Sequence, residues 1–330
     1  MPLKKYYEKD GDIRDLANET VGIIGYGIQG RNQAFNLRDN KINVIISNKK
    51  DSYCEQAIKD GFEVYNLEEL VKKASIIMML IPDQAQGDIF EKIKVKLNQG
   101  TMLVVAHGYS IRFKKVVPPK NIDVIMLAPR FPGAVLRKNF KENKGTLAYF
   151  DVYQDFTKSA EKRGLSLANA IGFTNGGTCI LGVTLEEETE VDLFIEQFLI
   201  PSFLNTIQTG FDVLKENGYT PEITLMELYT SGEIIGLLKE GIESGLYKVF
   251  QNNTSPTCQF GVEESFNRII TENTKETAEI ILKEIKSGDF SKRLEEDAKK
   301  GYSKLKEFNQ KNIQNNLSIV QHELSKVINY

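Results

Sequence analysis

The sequence is poor in cysteine and histidine and has no tryptophan: it contains three cysteines and two histidines in 330 residues. Cys54, Cys179 and Cys258 are far apart and odd in number. This argues against a disulfide framework and is typical of reduced thiols in a cytoplasm. None of the three has the spacing of metal ligands. Any chemistry that needs an imidazole is therefore restricted to His107 or His322.

Strong net charge and long apolar runs are missing as well. The 42 basic and 45 acidic residues are interleaved and leave a net charge of −3, so the chain has no electrostatic footprint for nucleic acid. No apolar run approaches the ~18 residues that span a bilayer, and the first residues contain no apolar stretch typical of a signal peptide. We therefore expect a cytoplasmic protein with neither a nucleic-acid nor a membrane partner.

The first half of the chain alternates short apolar, β-branched runs with helical patterns. Strands are predicted at 20–27, 42–47, 75–81, 101–107, 123–129 and 146–152. Helices are predicted between them at 29–39, 52–60, 67–73, 84–97 and 155–170. This alternation predicts an α/β fold, with a doubly wound parallel sheet of the Rossmann type that is covered on both faces.

From about residue 183 the strand signals nearly vanish. Amphipathic helices are predicted at 184–216, 221–246, 261–287, 290–309 and 312–328. Gly172, Gly176 and Gly177 mark the junction between the two halves. The sequence thus predicts a dinucleotide-binding domain over 1–182 and an all-α domain over 183–330.

The segment from 25 to 30, Gly-Tyr-Gly-Ile-Gln-Gly, closes the first predicted strand and opens a helix. Alone this motif is weak, but a second strand about 20 residues further on gives it the context of a dinucleotide site. Gly25 would make the tight turn, Gly27 would let the backbone approach a pyrophosphate, and Gly30 would allow the helix to pack closely on the strand. A plain strand–helix turn is the alternative. The other predicted cofactor contacts in this segment are Tyr26, Ile28 and Gln29.

The end of the second strand distinguishes the two nicotinamide cofactors. An Asp or Glu there would bind the ribose 2′-hydroxyl and favour NAD. Two cations and two hydroxyls, which suit a 2′-phosphate, are found there instead. They are Ser47, Lys49, Lys50 and Ser52. NADPH is the predicted cofactor, with Asp51 against it and an ordinary surface loop as the alternative.

His107 ends the fourth predicted strand, in the sequence AHG. A doubly wound sheet places its ligand crevice at the carboxyl ends of the strands, so we predict that His107 acts in acid–base chemistry or orients substrate. A core histidine bonded to backbone groups is the alternative. His322 lies between Gln321 and Glu323 in the last helix, which is typical of a solvated side chain.

Asp192 and Glu196 lie four residues apart in a segment whose apolar residues have helix spacing. Two carboxylates on one helical face, beside bulky apolar neighbours, repel each other unless a cation lies between them. Mg²⁺ is the predicted ion because it prefers oxygen ligands. The alternative is a solvated acidic face. The neighbouring acids are Glu186, Glu187, Glu188 and Glu190.

Together, the glycine motif, the AHG strand end, the APRFPG loop and ETEVDLFIEQ resemble ketol-acid reductoisomerase of the short class. PDQAQ at 82–86, PP at 118–119 and TEVDLFIEQ at 189–197 follow in the order of that family. The resemblance covers essentially the whole chain. It implies a Mg²⁺-dependent alkyl shift in a 2-acetolactate-type acid, then NADPH reduction to a 2,3-dihydroxy acid, a step of isoleucine and valine biosynthesis. It also implies a knotted helical domain and a homodimer with shared active sites, or a higher oligomer.

Several residues match functional positions of that family. Asp192 matches the bridging metal ligand, Glu196 a second ligand, and His107 the active-site histidine. Glu227 matches a further catalytic and metal-binding acid that comes from the partner subunit, and Ser255 matches a serine that hydrogen-bonds the substrate carboxylate. An alkyl migration needs both oxygens polarised, which two cations about 4 Å apart can do. The cofactor positions that the resemblance adds are Pro82, Asp83, Gln86 and Gly133.

Two positions depart from the family. Arg130 replaces a catalytic lysine, which keeps the charge but exchanges a compact ammonium for a planar fork. Ser231 stands where the family has a second acid four residues after Glu227, and Glu233 is on a different helical face. A short insertion also lies between Leu238 and Phe250. These departures predict a weakened alkyl shift, with the reduction less affected.

Three interpretations remain open. The first is a ketol-acid reductoisomerase, and the second is a diverged NADPH-dependent reductase of another 2-keto acid or an imine that lacks the migration. The third is a silent dimer that binds nucleotide as a sensor or structural partner, and the full set of matched site residues argues against it. The sequence does not specify the preferred substrate, the strength of the preference for NADPH over NADH, or assembly beyond a dimer.

Overall fold

The computed structural model describes residues 3–269 and 271–326. The chain forms two compact units, the first ending at Val191 and the second beginning at Asp192. The domain boundary predicted after residue 182 stays a prediction. Residues 270, 327 and 328, which the predicted helices include, lie outside the described residues.

The first unit is built around one sheet, with helices on its faces. Its strands are β1 (Lys4–Tyr6), β2 (Thr20–Ile24), β3 (Asn43–Ser47), β4 (Glu63–Val64), β5 (Ile76–Met79), β6 (Met102–Val105), β7 (Asp123–Pro129), β8 (Ala148–Gln154) and β9 (Ile180–Gly182). Its helices are α1 (Ile28–Asp39), α2 (Ser52–Lys59), α3 (Leu67–Lys73), α4 (Asp83–Ile93), α5 (Tyr109–Arg112), α6 (Gly133–Lys141) and α7 (Ala160–Ile171). The predicted α/β class is confirmed.

The order of the strands across the sheet is β1-β9-β8-β7-β6-β5-β2-β3-β4. Neighbouring strands from β4 to β7 are parallel. The chain winds outward from β2 in one direction through β3 and β4, and in the other through β5, β6 and β7. The crevice between the carboxyl ends of β2 and β5 is therefore the topological switch point, where such sheets bind their ligands.

The expectation of a wholly parallel sheet is wrong for the strand predicted at 146–152. The observed strand, β8, runs antiparallel to β7. After α6 the chain returns to the carboxyl end of β7, where the amide of Arg130 donates to the carbonyl of Leu147 at 2.9 Å. Strand β8 therefore begins beside the end of β7 and runs the opposite way. The short strands β1, β4 and β9 extend the sheet beyond the predicted ones.

Alternate residues of the central strands enter two separate cores. Val21 and Ile23 pack on one face, whereas Ile24 packs on the other. Ile76 and Ile77 divide in the same way. This period of two explains the near-continuous apolar runs, because both faces of the sheet are covered by helices.

Helix α7 begins at Ala160, five residues later than predicted. The preceding residues are held in a turn by Asp123, whose carboxylate accepts hydrogen bonds from the amides of Phe156 and Thr157 at 2.9 Å. Lys158 has a φ of 62°, which lies outside the right-handed helical region, so the helix begins after this turn.

The second unit is helical throughout the part of it that the structure describes. Helix α8 (Leu185–Glu216) begins in the first unit and continues into the second. The others are α9 (Pro221–Leu225), a π-helical turn (Met226–Thr230), α10 (Glu233–Ser244), α11 (Leu246–Asn253), α12 (Pro256–Ile269), α13 (Glu272–Ser287), α14 (Asp289–Lys299), α15 (Ser303–Ile313) and α16 (Asn316–Leu324).

The predicted helix over 221–246 is interrupted. The amide of Ser231 bonds the carbonyl of Met226 at 3.2 Å, five residues back, which is the spacing of a π-helix. Gly232 then adopts a φ of 82° and ends the helix. Because of this break, Glu233 begins a new helix rather than following Glu227 on the same one.

Many large apolar side chains of the second unit are exposed. Along α8 they form a stripe at helix spacing. Its members in the second unit are Ile195, Leu199, Ile200, Phe203 and Leu204. The buried apolar side chains among the described residues of this unit are Leu193, Phe211, Leu225, Val249, Ile285 and Leu324. Within the described ranges, no helix combines the length and apolar character needed to cross a bilayer.

Candidate active site

The three glycines of the turn after β2 differ in the space that surrounds them. Gly25 has a φ of 104°, and a Cβ there would lie 2.5 Å from the carbonyl oxygen of Leu80. A Cβ on Gly30 would clash with the carbonyl oxygen of Gly25, so only glycine lets α1 approach the strand end this closely. Around Gly27, by contrast, no atom lies within 4 Å of where its Cβ would be. The open side of the turn is thus at Gly27, at the N-terminus of α1.

Tyr26 holds this turn from the inside. Its side chain is fully buried, and its hydroxyl donates to Asp60 Oδ2 at 2.9 Å. Burial, together with this carboxylate, raises the pKa of the Tyr26 phenol. The amide of Tyr26 donates to Asn48 Oδ1 at 2.9 Å, which joins the turn to the loop after β3. The phenol of Tyr26 therefore supports the turn and is turned away from the open side.

The APRFPG loop is packed against the start of α1. Gln29 Nε2 donates to the carbonyl of Phe131 at 2.9 Å. A Cβ on Gly133 would clash with the carbonyl oxygen of Ile28, so glycine is required where the two helix N-termini meet. The side chain of Ile28 is 66% exposed on the open side. The glycine turn and the loop that carries Arg130 thus form one connected surface.

The loop after β3 presents its cations to solvent. Ser47 is buried, and its carbonyl accepts from the amide of Gly25 at 2.9 Å. Lys49, Lys50 and Ser52 are exposed beside the glycine turn. Asp51 caps α2, because its carboxylate accepts from the amides of Tyr53 and Cys54, and Asn48 Nδ2 donates to it at 2.8 Å. The one acid that argued against NADPH is therefore engaged in holding the loop.

His107 follows β6 and lies between two carboxylates. Its Nδ1 is 3.2 Å from Asp83 Oδ2, and its Nε2 is 3.8 Å from Glu188 Oε2. The ring also stacks on Tyr109, with centroids 6.3 Å apart. A histidine bonded only to backbone groups, the alternative considered from the sequence, is therefore wrong.

Pro82, Asp83 and Gln86 open helix α4 after β5. Pro82 is the residue that precedes the helix and Asp83 is its first residue. Gln86 is buried, and its Nε2 donates to Asp83 Oδ1 and to the carbonyl of Ile81, each at 3.1 Å. These residues lie at the switch point between β2 and β5, where a cofactor site was predicted.

Glu188 is the residue that sequence reasoning missed. It was grouped with a solvated acidic face, but its side chain has no solvent exposure. Its Oε2 accepts from the amide of Gly108 at 3.0 Å, and its Oε1 lies 3.4 Å from Arg130 Nη2. The helical spacing that singled out Asp192 and Glu196 also includes Glu188, four residues earlier, and that was the available signal.

The remaining acids of this run behave in different ways. Glu190 accepts from Arg112 Nη2 at 2.7 Å, and Glu186 lies 3.0 Å from Arg112 Nε. Glu187 is exposed. The interpretation of this run as a solvated acidic face therefore holds for Glu187, which is exposed, but is wrong for Glu188, which is buried.

Arg130 combines three contacts at the end of β7. Its Nη2 lies 3.4 Å from Glu188 Oε1. Its guanidinium also lies over the ring of Tyr149, 5.0 Å from the ring centroid. Its Nε donates to the carbonyl of Pro129 at 3.3 Å. Stacking and charge pairing together suit a planar guanidinium better than an ammonium. The carboxylate of Glu188 and the ring of Tyr149 are therefore partners that suit an arginine at position 130.

Asp192 and Glu196 lie on α8, as the spacing predicted. Asp192 is half-buried and Glu196 is exposed. Together with Glu188 they follow at intervals of four residues, so the three carboxylates occupy successive turns of one face of this helix. Carboxylate oxygens in such a row are the hard ligands that Mg²⁺ prefers.

Glu227, Ser231 and Ser255 lie in the second unit. Glu227 is exposed within the π-helical turn, and Ser231 is exposed at its end. Ser255 is exposed just before α12, and its hydroxyl accepts from the amide of Cys258 at 3.3 Å. All three side chains are therefore on the surface of the single chain.

The two halves of the chain match the two domains of one family. Residues 15–177 match the acetohydroxy acid isomeroreductase NADPH-binding domain, and residues 185–330 match the ketol-acid reductoisomerase C-terminal domain. A protein described as ketol-acid reductoisomerase (NADP(+)), from Petrotoga mobilis (strain DSM 10674 / SJ95), is 42% identical over 294 residues. These residues are 88% of this chain and 87% of that protein. The chain belongs to the ketol-acid reductoisomerase family.

Solved structures agree with this family and fold. A structure described as an NADH-preferring ketol-acid reductoisomerase from an uncultured archean has a TM-score of 0.90 at 31% identity, covering 99% of this chain and 100% of that chain. An NAD-binding semialdehyde dehydrogenase from Cupriavidus necator has a TM-score of 0.62 at 15% identity, covering 82% of this chain and 99% of that chain, and shows the fold alone. As a member of the ketol-acid reductoisomerase family, the chain is an NADP-dependent oxidoreductase and isomerase.

Proposed function

We propose that the chain catalyses a Mg²⁺-dependent alkyl migration in 2-acetolactate-type acids, then reduces the product with NADPH to a 2,3-dihydroxy acid of branched-chain amino-acid biosynthesis. The observation that carries the proposal is the group formed by His107, Glu188 and Arg130. It lies at the carboxyl ends of β6 and β7, on the same edge of the sheet as the glycine turn after β2. A substrate carbonyl at this edge would face a cofactor held by that turn.

The chain's own residues have distinct parts in this proposal. NADPH, when bound, would supply the hydride to the carbonyl carbon, and the carbonyl oxygen would then need a proton. His107 is positioned to move or hold that proton, because its ring is oriented by carboxylates on both sides. Arg130 supplies a fixed positive charge beside the buried Glu188 and a guanidinium fork that suits oxygen atoms.

Mg²⁺ is proposed to be held by Asp192 and Glu196, with Glu227 contributed by a second subunit. The fit rests on the chemistry of the donors, because Asp192 and Glu196 lie four residues apart on α8 and carboxylate oxygens are the hard ligands that Mg²⁺ prefers. When bound, a divalent cation polarises the substrate oxygens. Asp192→Asn should abolish the migration and the Mg²⁺-induced rise in melting temperature, whereas Glu216→Gln, a matched change at the exposed end of α8, should preserve both. Migration by the Asp192→Asn protein without added divalent ion would contradict the assignment.

NADPH is proposed as the preferred nicotinamide cofactor. The relative from Petrotoga mobilis is described with NADP(+), whereas the archaeal structure is described as NADH-preferring. The family therefore contains both preferences, and the choice rests on the residues of this chain. Exposed Lys49, Lys50 and Ser52 beside the glycine turn support the 2′-phosphate.

A homodimer with shared active sites is proposed as the working assembly, in a cytoplasmic setting. Besides the apolar stripe on α8, α10 carries large apolar side chains on its surface, where Ile235, Leu238 and Ile242 are 63%, 49% and 85% exposed. Extended apolar patches of this kind mark interaction surfaces. A second copy is the occupant we propose, because Glu227 and Ser255 are both exposed on this unit and would complete the partner's site.

One assay separates the proposed reaction from its alternatives. NADPH oxidation is followed with Mg²⁺ and either 2-acetolactate or 3-hydroxy-3-methyl-2-oxobutanoate. Oxidation with both acids supports the complete two-step reaction. Oxidation with only the second acid means that the migration has been lost and supports the diverged reductase. If neither acid is reduced although NADPH binds, the proposed reaction is wrong.

A further inference from the structure

Asp83 has both carboxylate oxygens engaged inside the first unit. Its Oδ2 lies 3.2 Å from His107 Nδ1, and its Oδ1 accepts from Gln86 Nε2 at 3.1 Å. Gln86 is only 3% exposed and is itself tied to the carbonyl of Ile81 at 3.1 Å. One carboxylate oxygen of Asp83 is thus held by the buried amide group of Gln86, and the other faces the imidazole of His107.

We propose that Asp83 is a positioning residue for His107, and that it keeps the ring proton on Nδ1 so that Nε2 faces Glu188. The ionised carboxylate of Asp83 is an acceptor only, so the short contact requires Nδ1 to be the donor. In the neutral ring, Nε2 then carries the lone pair. In this proposal the side chain of Asp83 acts through His107, whereas the resemblance to the family predicts that Asp83 contacts the cofactor.

Gln86 makes this inference testable by an isosteric change. In an Asp83→Asn protein, the amide oxygen must stay on the side of Gln86, because Gln86 Nε2 is a donor tied to Ile81 and can bond only an acceptor. The new amide NH₂ group would then face His107 Nδ1 and donate to it. The ring would have to carry its proton on Nε2, the opposite tautomer.

Nuclear magnetic resonance can read this tautomer directly, because the chain has only two histidines. Ring nitrogen spectra of the full-length protein, selectively labelled with ¹⁵N-histidine, would be recorded at a pH where the rings are neutral. The His322→Gln protein assigns the two rings. We expect the Nδ1–H form for His107 in the wild-type protein and the Nε2–H form in Asp83→Asn. This measurement needs no substrate, so it tests Asp83 even if the proposed reaction is wrong.

Steady-state kinetics of the Asp83→Asn protein distinguishes a residue that positions His107 from one that binds the cofactor. This kinetic experiment rests on the proposed function. With 3-hydroxy-3-methyl-2-oxobutanoate as substrate, we expect Asp83→Asn to lower kcat by about 100-fold or more, the usual contribution of an acid–base group. The Kd for NADPH should be unchanged. Asp88→Asn, the same change at an exposed position of α4, should leave kcat, the Kd and the His107 tautomer as in the wild type.

Two outcomes would overturn the inference. One is a weakened NADPH Kd with wild-type kcat at saturating cofactor, which would make Asp83 a cofactor ligand. The other is an unchanged His107 tautomer in an Asp83→Asn protein whose circular dichroism and melting curve match the wild type.

Discussion

The carboxylate of Glu188 accepts a hydrogen bond from the backbone amide of Gly108 at 3.0 Å, although it lies in a run of acids that reads as a solvated surface. The contact is close because α8 packs directly on the AHG turn. A Cβ on Gly108 would clash with the hydroxyl of Thr189. Glu188 therefore bridges the strand end that carries His107 and the loop that carries Arg130.

We expect Glu188→Gln to lower kcat by about 100-fold while leaving the fold intact, because the amide keeps the shape but removes the charge that faces His107 and Arg130. Glu187→Gln, the same change on the exposed neighbouring residue, should have wild-type kcat. The measurement is the steady-state rate of each protein with both substrates. Melting curves of each protein check that the fold is intact. Equal activity of the two variants would remove Glu188 from the site.

Replacing both Lys49 and Lys50 with Ala should weaken NADPH binding by about 10- to 100-fold, as expected for the loss of charge-assisted bonds to a phosphate. NADH binding should change little, because NADH has no 2′-phosphate. Titration of each cofactor against protein fluorescence or by calorimetry gives both constants. Lys59→Ala, an exposed lysine at the end of α2, serves as the control. Equal losses for NADPH and NADH would reject the assignment.

Shared active sites predict complementation between inactive proteins. Asp192→Asn protein and Ser255→Ala protein, unfolded together and refolded as a mixture, should form some heterodimers with one site free of both substitutions. Activity of the mixture should therefore exceed that of either parent refolded alone. A mixture that never exceeds its parents, while light scattering shows subunit exchange, would contradict the shared site.

Ser231→Glu should lower the Mg²⁺ concentration needed for the migration, because it returns an acid to the position after the π-helical turn. The reduction of 3-hydroxy-3-methyl-2-oxobutanoate should be less affected. Ser244→Glu, at the end of α10, provides the same added charge elsewhere. If Ser231→Glu leaves the Mg²⁺ dependence of both steps unchanged, Ser231 lies outside the metal site.

Asp60 should make the first unit depend on pH in acid. Hydrogen bonds from the Arg31 guanidinium lower the pKa of the Asp60 carboxyl from 3.8 to about 2. A lowered pKa stabilises the folded state above pH 3.8, and this contribution is lost as the pH falls towards 2. The difference in free energy of unfolding between wild type and Asp60→Asn should therefore be constant near neutral pH and shrink below about pH 4. A difference that does not change with pH would show that the charge of Asp60 does not contribute to the free energy of unfolding.

The central strands were predictable because their signal is local. Strands β2, β3, β5, β6 and β7 are apolar runs that fill two cores, and each coincides with a predicted strand. The direction of β8 was not predictable, because it depends on where the chain returns to the sheet after α6 rather than on the residues of the strand. Strands β1, β4 and β9 are too short to show a periodic pattern.

The site divides in the same way. His107 and Asp192 were predicted as site residues from their positions on a strand end and a helix face, and these two positions are local features of the sequence. The burial of Glu188 could not be found locally, because its partners Gly108 and Arg130 are distant in sequence. The π-helical turn at Met226–Thr230 was also missed, since a single turn of this kind is too short to show a periodic pattern of its own.

The loop after β3 has a consequence for how this chain could evolve. Its shape is fixed by Ser47, Asn48 and Asp51, through bonds to the glycine turn and to the start of α2. Lys49 and Lys50 are exposed on this frame, and Lys49 Nζ lies 3.5 Å from Asp51 Oδ2. Exposed ion pairs of this kind contribute little to stability, so both lysines can be replaced with little effect on the frame. If these lysines select the cofactor as proposed, substitutions at the two positions would change the preference between NADPH and NADH while the fold and the reacting groups stay as they are.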